Sequence, residues 1–386
     1  METVVCGPTA YRYWRTPPIV HLLAAAPEDH PALRNLIDAE ELRAFRADLL
    51  TQTAFGRQCT GSAWRNVSSH SERIREYAAF LAPFADYPVD ILVHNAKTRR
   101  SSSLIRPWLW TQELPFGATT TVVDELAVTT PAFTLLQLAS RASLNRTLLL
   151  ASEACGSYAT YCPPVPVRII LQKLIDRGRL RDFGGWRPSL SGDGRLTDLW
   201  SRDPLVNPRE LLEMANSASR LRGCATLRRA SELVVPMAAS PFETQAGLLL
   251  GLSRRLGGAG FEGYTHNEKV DLSREARLIA DRSYCSCDIY WPDGLDIECQ
   301  SARHHNNEAS LLSDSDRSTA LELMGVRVLP LTYRQLVDES RFEAFTSAVA
   351  HALGVAQKPR TALQIQAARQ LRDEVMCDWD ALPDVM

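Results

Sequence analysis

Lysine is scarce in this chain: of 43 Lys and Arg residues, only Lys97, Lys173, Lys269 and Lys358 are lysines. There is no excess of charge either. A formal net charge of -2 excludes a globally basic coat, so any nucleic-acid contact must come from local patches. No apolar run is long enough to span a bilayer, and Met1–Glu2–Thr3 has no basic start like that of a secretion signal. These absences predict a cytoplasmic protein with no membrane partner. A disulfide framework is not expected, because nine cysteines, an odd number scattered along the chain, fit reduced thiols better. A glycine-rich phosphate loop is missing too: Gly257–Gly258–Ala259–Gly260 follows a helix instead of leading a strand into one.

What is present is ordinary globular composition, 45% hydrophobic and 23% charged over 386 residues, enough for two or three domains. The pattern divides the chain into an α+β region over 1–160, a helical Arg-rich connector over 161–238, an α/β domain over 239–355, and a C-terminal helix with an acidic tail over 356–386. In the first region Val89–Val93, Thr120–Val123 and Leu126–Thr129 read as strands. Thr130–Pro131 then reads as a helix start, with the Thr130 hydroxyl as cap. The arginines of the connector alternate with acids, which predicts ion pairs on helix surfaces.

The most informative stretch runs from Cys285 to Gln300. Two short apolar runs around Pro292–Asp293–Gly294 predict a β-hairpin with its reversal between Trp291 and Leu295. Strand alternation sends Asp288 to the face opposite Cys285 and Cys287, and puts Glu298 and Gln300 on a face that Cys299 does not share. Carboxylates on adjacent strands suit a hard divalent ion such as Mg²⁺ or Mn²⁺; acids exposed on a hairpin's solvent face would look the same in sequence. The thiols Cys285, Cys287 and Cys299 are expected to be buried hydrophobes on the far side rather than zinc ligands. Upstream, Ser240–Pro241–Phe242–Glu243 is a full helix-start signal, so Glu243 fits a capping box as well as it fits a metal ligand.

The order Glu243, Asp288, Glu298, His304, Asp314, Arg317, Gly325 and the strand after it resembles the PD-(D/E)XK nuclease superfamily, in the branch similar to very-short-patch-repair endonucleases. The resemblance implies a restriction-endonuclease-like mixed sheet flanked by helices, an α/β fold preceded by the α+β region. It implies Mg²⁺ (or Mn²⁺) held by Asp288, Glu298 and Glu243. It also implies catalytic roles for Asp288, Glu298, Gln300, His304 and Arg317, with DNA as the expected partner. Gln300 stands where the superfamily commonly has Lys; an amide can orient water but carries no charge. Residues 89–158 resemble abortive-infection antitoxins of type IV toxin–antitoxin systems, which implies a toxin partner and a role in phage defence. The expected function is a Mg²⁺-dependent DNA endonuclease; the alternative is an inactive antitoxin-like regulator that binds DNA or protein.

Overall fold

A computed structural model describes residues 2–60, 69–86, 88–99, 101–218, 221–300 and 308–384. Among the described residues the fold is mixed α/β, with three sheets and helices packed around them. The first sheet holds β1 (Thr3–Val5), β2 (Val89–Val93), β3 (Ile105–Leu109), β4 (Thr119–Val123) and β5 (Leu126–Thr129), in the order β3-β2-β1-β5-β4. Alternation does not reveal β1, because all three of its residues are buried and the run is too short to show a period. Asp90, fully buried in β2, holds this sheet to the helix Gly7–Arg15. It accepts from the Thr9 amide and hydroxyl at 3.3 and 3.0 Å, from Arg106 at 2.5 and 2.9 Å, and from the Trp108 indole at 2.7 Å.

A small antiparallel sheet follows, made of β6 (Tyr158–Thr160), β7 (Arg187–Leu190) and β8 (Leu196–Ser201) in the order β6-β8-β7. The connector arginines do pair: Arg177 with Glu41 at 2.7 Å and Arg229 with Glu232 at 2.8 Å. The third sheet is the C-terminal mixed sheet, order β12-β11-β10-β9, from β9 (Thr265–Asp271), β10 (Tyr284–Trp291), β11 (Leu295–Gln300) and β12 (Arg327–Thr332). Its β11 and β12 run parallel and its other pairs antiparallel. The predicted hairpin is there, turning on Gly294 at φ +85°, and the Gly294 carbonyl accepts from the Arg327 amide at 2.8 Å to set the start of β12. Pro330 is tolerated because β12 is an edge strand.

One apolar core joins the N-terminal and C-terminal parts, running from Val4 and Tyr11 through Leu148 and Tyr158 to Phe242, Ile297, Leu331 and Leu382. Two expectations need correction. Thr130 precedes the helix Pro131–Ala139 without capping it; its hydroxyl donates instead to the Gly117 carbonyl at 3.0 Å. The acidic tail is not simply solvated. Trp379 and Leu382 are buried, the Arg15 guanidinium donates to the Trp379 carbonyl at 2.7 Å, and Arg12 pairs with Asp384 at 2.7 Å. Trp379 and Leu382 stand three apart in a turn closed by the Leu382 amide on the Trp379 carbonyl at 3.3 Å, and the turn buries both despite the acids between them.

Candidate metal centre

The site is built where the C-terminal hairpin opens. The β10–β11 ladder pairs Ile289 with Ile297, Tyr290 with Asp296 and Trp291 with Leu295; before Ile289, β10 continues along β9 only. Asp288 is the first residue of β10 beyond that ladder, and its Oδ2 accepts from the Cys299 amide at 2.9 Å. The carboxylate thus bridges a gap between strands that would otherwise leave a β11 amide unpaired. On the opposite side of β10, Asn267 of β9 takes φ +52°, a left-handed conformation unusual within a strand. Its side-chain amide donates to Glu243 Oε2 at 2.7 Å, tying the helix Pro241–Gly251 to the sheet at the level of Asp288.

Glu243 is 6% exposed and has three donors: the Ala239 amide and the Ser240 hydroxyl, both at 2.8 Å, and Asn267. The Ser240 hydroxyl in turn accepts from the Glu243 amide at 3.1 Å. Glu243 therefore organises the helix start, as its sequence context suggests, and it also sits within the field of the hairpin acids. Burial lifts its carboxyl to about 7 against these donors, and the charge of Glu298 adds to the rise. Asp288 is pushed well above the ordinary carboxylate range by burial, then by Glu243 and Glu298. His266, next to Asn267, places Nδ1 3.0 Å from the Asp288 carbonyl, and burial lowers it to about 4, so it is neutral.

A fourth acid, missed in the sequence reading, is the most isolated. Asp296 is fully buried in β11, and neither of its carboxylate oxygens makes a well-aligned hydrogen bond among the described residues, although the Cys287 thiol and the Ile289 amide lie close enough to favour its charge; Glu298 Oε2 is buried and has no partner among the described residues either. Burial, then the charge of Glu298, raises Asp296 to about 7, with Arg317, the Cys287 thiol and the Ile289 amide opposing. Period-two alternation was the signal that could have found it, since Asp296, Glu298 and Gln300 are two apart on one strand.

Arg317, from the helix Glu308–Leu323, reaches this face. Its Nη1 is bonded to Glu298 Oε1, its Nη2 donates to the Ser286 carbonyl and lies 3.9 Å from Asp296 Oδ2. Burial disfavours the guanidinium's charge, but the bond to Glu298 and the fields of Glu298, Asp296 and Asp288 outweigh it and hold Arg317 charged. Gln300 ends β11 half-buried, beside Thr332 of β12. His304 lies outside the described residues, as does the side chain of Asp314.

The thiols are not segregated from the acids as alternation predicts. Cys285 and Cys287 pack with Ala320, Leu321 and Val326, whereas Ile289 and Trp291, of the same parity, join the large core. The strand changes face next to Asn267, whose left-handed backbone breaks the regular pleat. Burial raises the thiols of Cys285 and Cys287, with Arg317 opposing at both and Asp296 adding to the rise at Cys287, and half-buried Cys299 is raised by burial and then by all four acids.

No family model, curated protein or solved structure matches the chain. The case for an ion therefore rests on the residues. Among those described, no three His, Cys, Asp or Glu side chains are arranged to hold a metal ion as they stand. The chemistry still fits one: Glu243 and Asp296 are buried, Asp288 and Glu298 half-buried, and among the described residues three of their oxygens make no well-aligned hydrogen bond and Arg317 is the one guanidinium beside these hard donors.

Proposed function

We propose that the C-terminal domain is a Mg²⁺- or Mn²⁺-dependent endonuclease acting on DNA. The observation that carries this reading is the carboxylate cluster at the open end of the β10–β11 ladder, with the orphaned oxygens of Glu298 and Asp296. Buried acids without partners cost stability, and such a cost is retained where a site needs it. The resemblance to the PD-(D/E)XK pattern supports phosphodiester hydrolysis as the chemistry. A bound Mg²⁺ or Mn²⁺ would supply an activated water and offset charge on the phosphate.

Asp288 and Glu298 are the ligands in this reading, and both hold fixed positions on backbone-paired strands. Glu243 positions the cluster from its helix, itself held by the Ala239 amide, the Ser240 hydroxyl and the Asn267 amide. Gln300 orients water without moving a proton. Arg317, held charged beside Glu298 and Asp296, neutralises a phosphate oxygen. The toxin–antitoxin setting and a role in phage defence rest on the likeness of residues 89–158 to antitoxins.

One observation favours the second reading, an inactive regulator that binds DNA or protein: Arg317 is bonded to Glu298 and so already supplies a positive charge to the cluster. Cleavage assays separate the two. Wild-type protein should cut plasmid, single-stranded DNA or RNA in Mg²⁺ or Mn²⁺, and Asp288→Ala or Glu298→Ala should abolish the activity. Gln300→Ala should lose about tenfold to a hundredfold, as one orienting hydrogen bond implies, and Gln300→Lys should be tolerated. No cleavage of any substrate by any of these proteins favours the regulator.

A further inference from the structure

The atoms that Arg317 touches form a set of their own. Its guanidinium meets Glu298 Oε1, the Ser286 carbonyl and, at 3.9 Å, Asp296 Oδ2. All three are hard oxygen donors, two of them anionic, and they come from two strands and so are fixed relative to one another. The longest of the contacts goes to Asp296, whose two oxygens are fully buried and make no well-aligned hydrogen bond among the described residues, the Cys287 thiol and the Ile289 amide being the weak donors near it. A guanidinium whose other bonds go to Glu298 and Ser286 leaves Asp296 incompletely neutralised, which a compact divalent ion would not.

We propose that Asp296, Glu298 and the Ser286 carbonyl form a second divalent-cation position on the side of β11 facing the helix Glu308–Leu323, and that the Arg317 guanidinium holds this position until a cation displaces it. Glu298 is the shared ligand: Oε1 serves this position, and the unpartnered Oε2 is left for the ion held with Asp288. The inference rests on reading the cluster as a cation site, and it adds a residue, Asp296, that the PD-(D/E)XK resemblance does not assign. It also gives Arg317 two places, one on Glu298 and one released, so that loading the second ion frees a charged guanidinium at the cluster.

The test is Mn²⁺ binding at pH 8, followed by calorimetry and by the electron paramagnetic resonance of free Mn²⁺. Arg317→Gln removes the competitor and should tighten the weaker of two Mn²⁺ sites at least tenfold; adding Asp296→Asn in that background should erase the gain. In the otherwise unchanged protein, Asp296→Asn should lower the stoichiometry at saturating Mn²⁺ from two to one, a readout that does not depend on the Arg317 variant folding. A gain that survives Asp296→Asn, or an unchanged stoichiometry, overturns the proposal. If Asp288→Asn abolishes binding while Asp296→Asn leaves it intact, the second site is refuted and the endonuclease reading stands. If only Asp296→Asn matters, the reverse holds.

Discussion

Replacing Asp296 by Asn should make the protein more stable, though only at the right pH. The carboxyl is fully buried and makes no well-aligned hydrogen bond among the described residues, and burial, then the charge of Glu298, pushes it up to about 7 from an ordinary 3.8 against Arg317, the Cys287 thiol and the Ile289 amide. At ~1.4 kcal/mol for each tenfold change in proton affinity, ionising it in the folded chain costs roughly 4 kcal/mol more than in the unfolded one. The sign follows from proton binding. Between about pH 4 and about pH 7 the folded state keeps a proton that the unfolded state has lost, so stability falls as pH rises across that window and is level above it. An amide never ionises, but its NH₂ still needs a partner, at a cost of ~1–3 kcal/mol. The net expectation is a gain of about 1–3 kcal/mol at pH 8, turning at pH 4.5 into no difference or a loss of up to about 2 kcal/mol. Urea unfolding in a chelator at both pH values measures it. A variant less stable than wild type at pH 8, or a difference that does not change with pH, would refute the assignment of Asp296 as a buried charge only partly offset by Arg317.

Other substitutions follow from the same structure. Asp90→Ala should cost about 3–5 kcal/mol in urea unfolding, because it strands the half-buried Arg106 and leaves the Trp108 indole and Thr9 without their acceptor. Glu243→Ala removes the acceptor of the Ala239 amide, the Ser240 hydroxyl and the Asn267 amide, and should cost about 1–3 kcal/mol even in a chelator, whereas Glu243→Gln, which keeps one acceptor oxygen, should lose less.

The hairpin at Trp291–Leu295, the helix start at Ser240 and the strands β2, β4 and β5 were legible because each carries its own local signal: a turn with Gly, a cap with Pro, a β-branched run bounded by polar residues. β1, β3 and the β6-β8-β7 sheet were not legible, because their short runs are held by partners far along the chain. At the site, Asp288 and Glu298 stood out, while Asp296 was hidden by its place beside the turn. The face change between Cys287 and Ile289 could not be read from alternation, since it depends on Asn267 adopting a left-handed backbone in the neighbouring strand. Burial of the tail was missed for a related reason: two apolar residues among acids give little periodicity, yet Arg12, Arg15 and Arg146 receive the segment's carboxylate and carbonyls.

The central claim is that the acids around Asp288 bind a divalent ion, and thermal unfolding at pH 8 with and without Mn²⁺ tests it directly. An ion that binds only the folded state stabilises it in proportion to the logarithm of its concentration, by ~2.7 kcal/mol at a hundred times Kd. The account predicts that Tm of the wild-type protein rises steadily with Mn²⁺ and that Asp288→Asn loses most of the rise. A wild-type Tm indifferent to Mn²⁺, or an equal rise in Asp288→Asn, would contradict it.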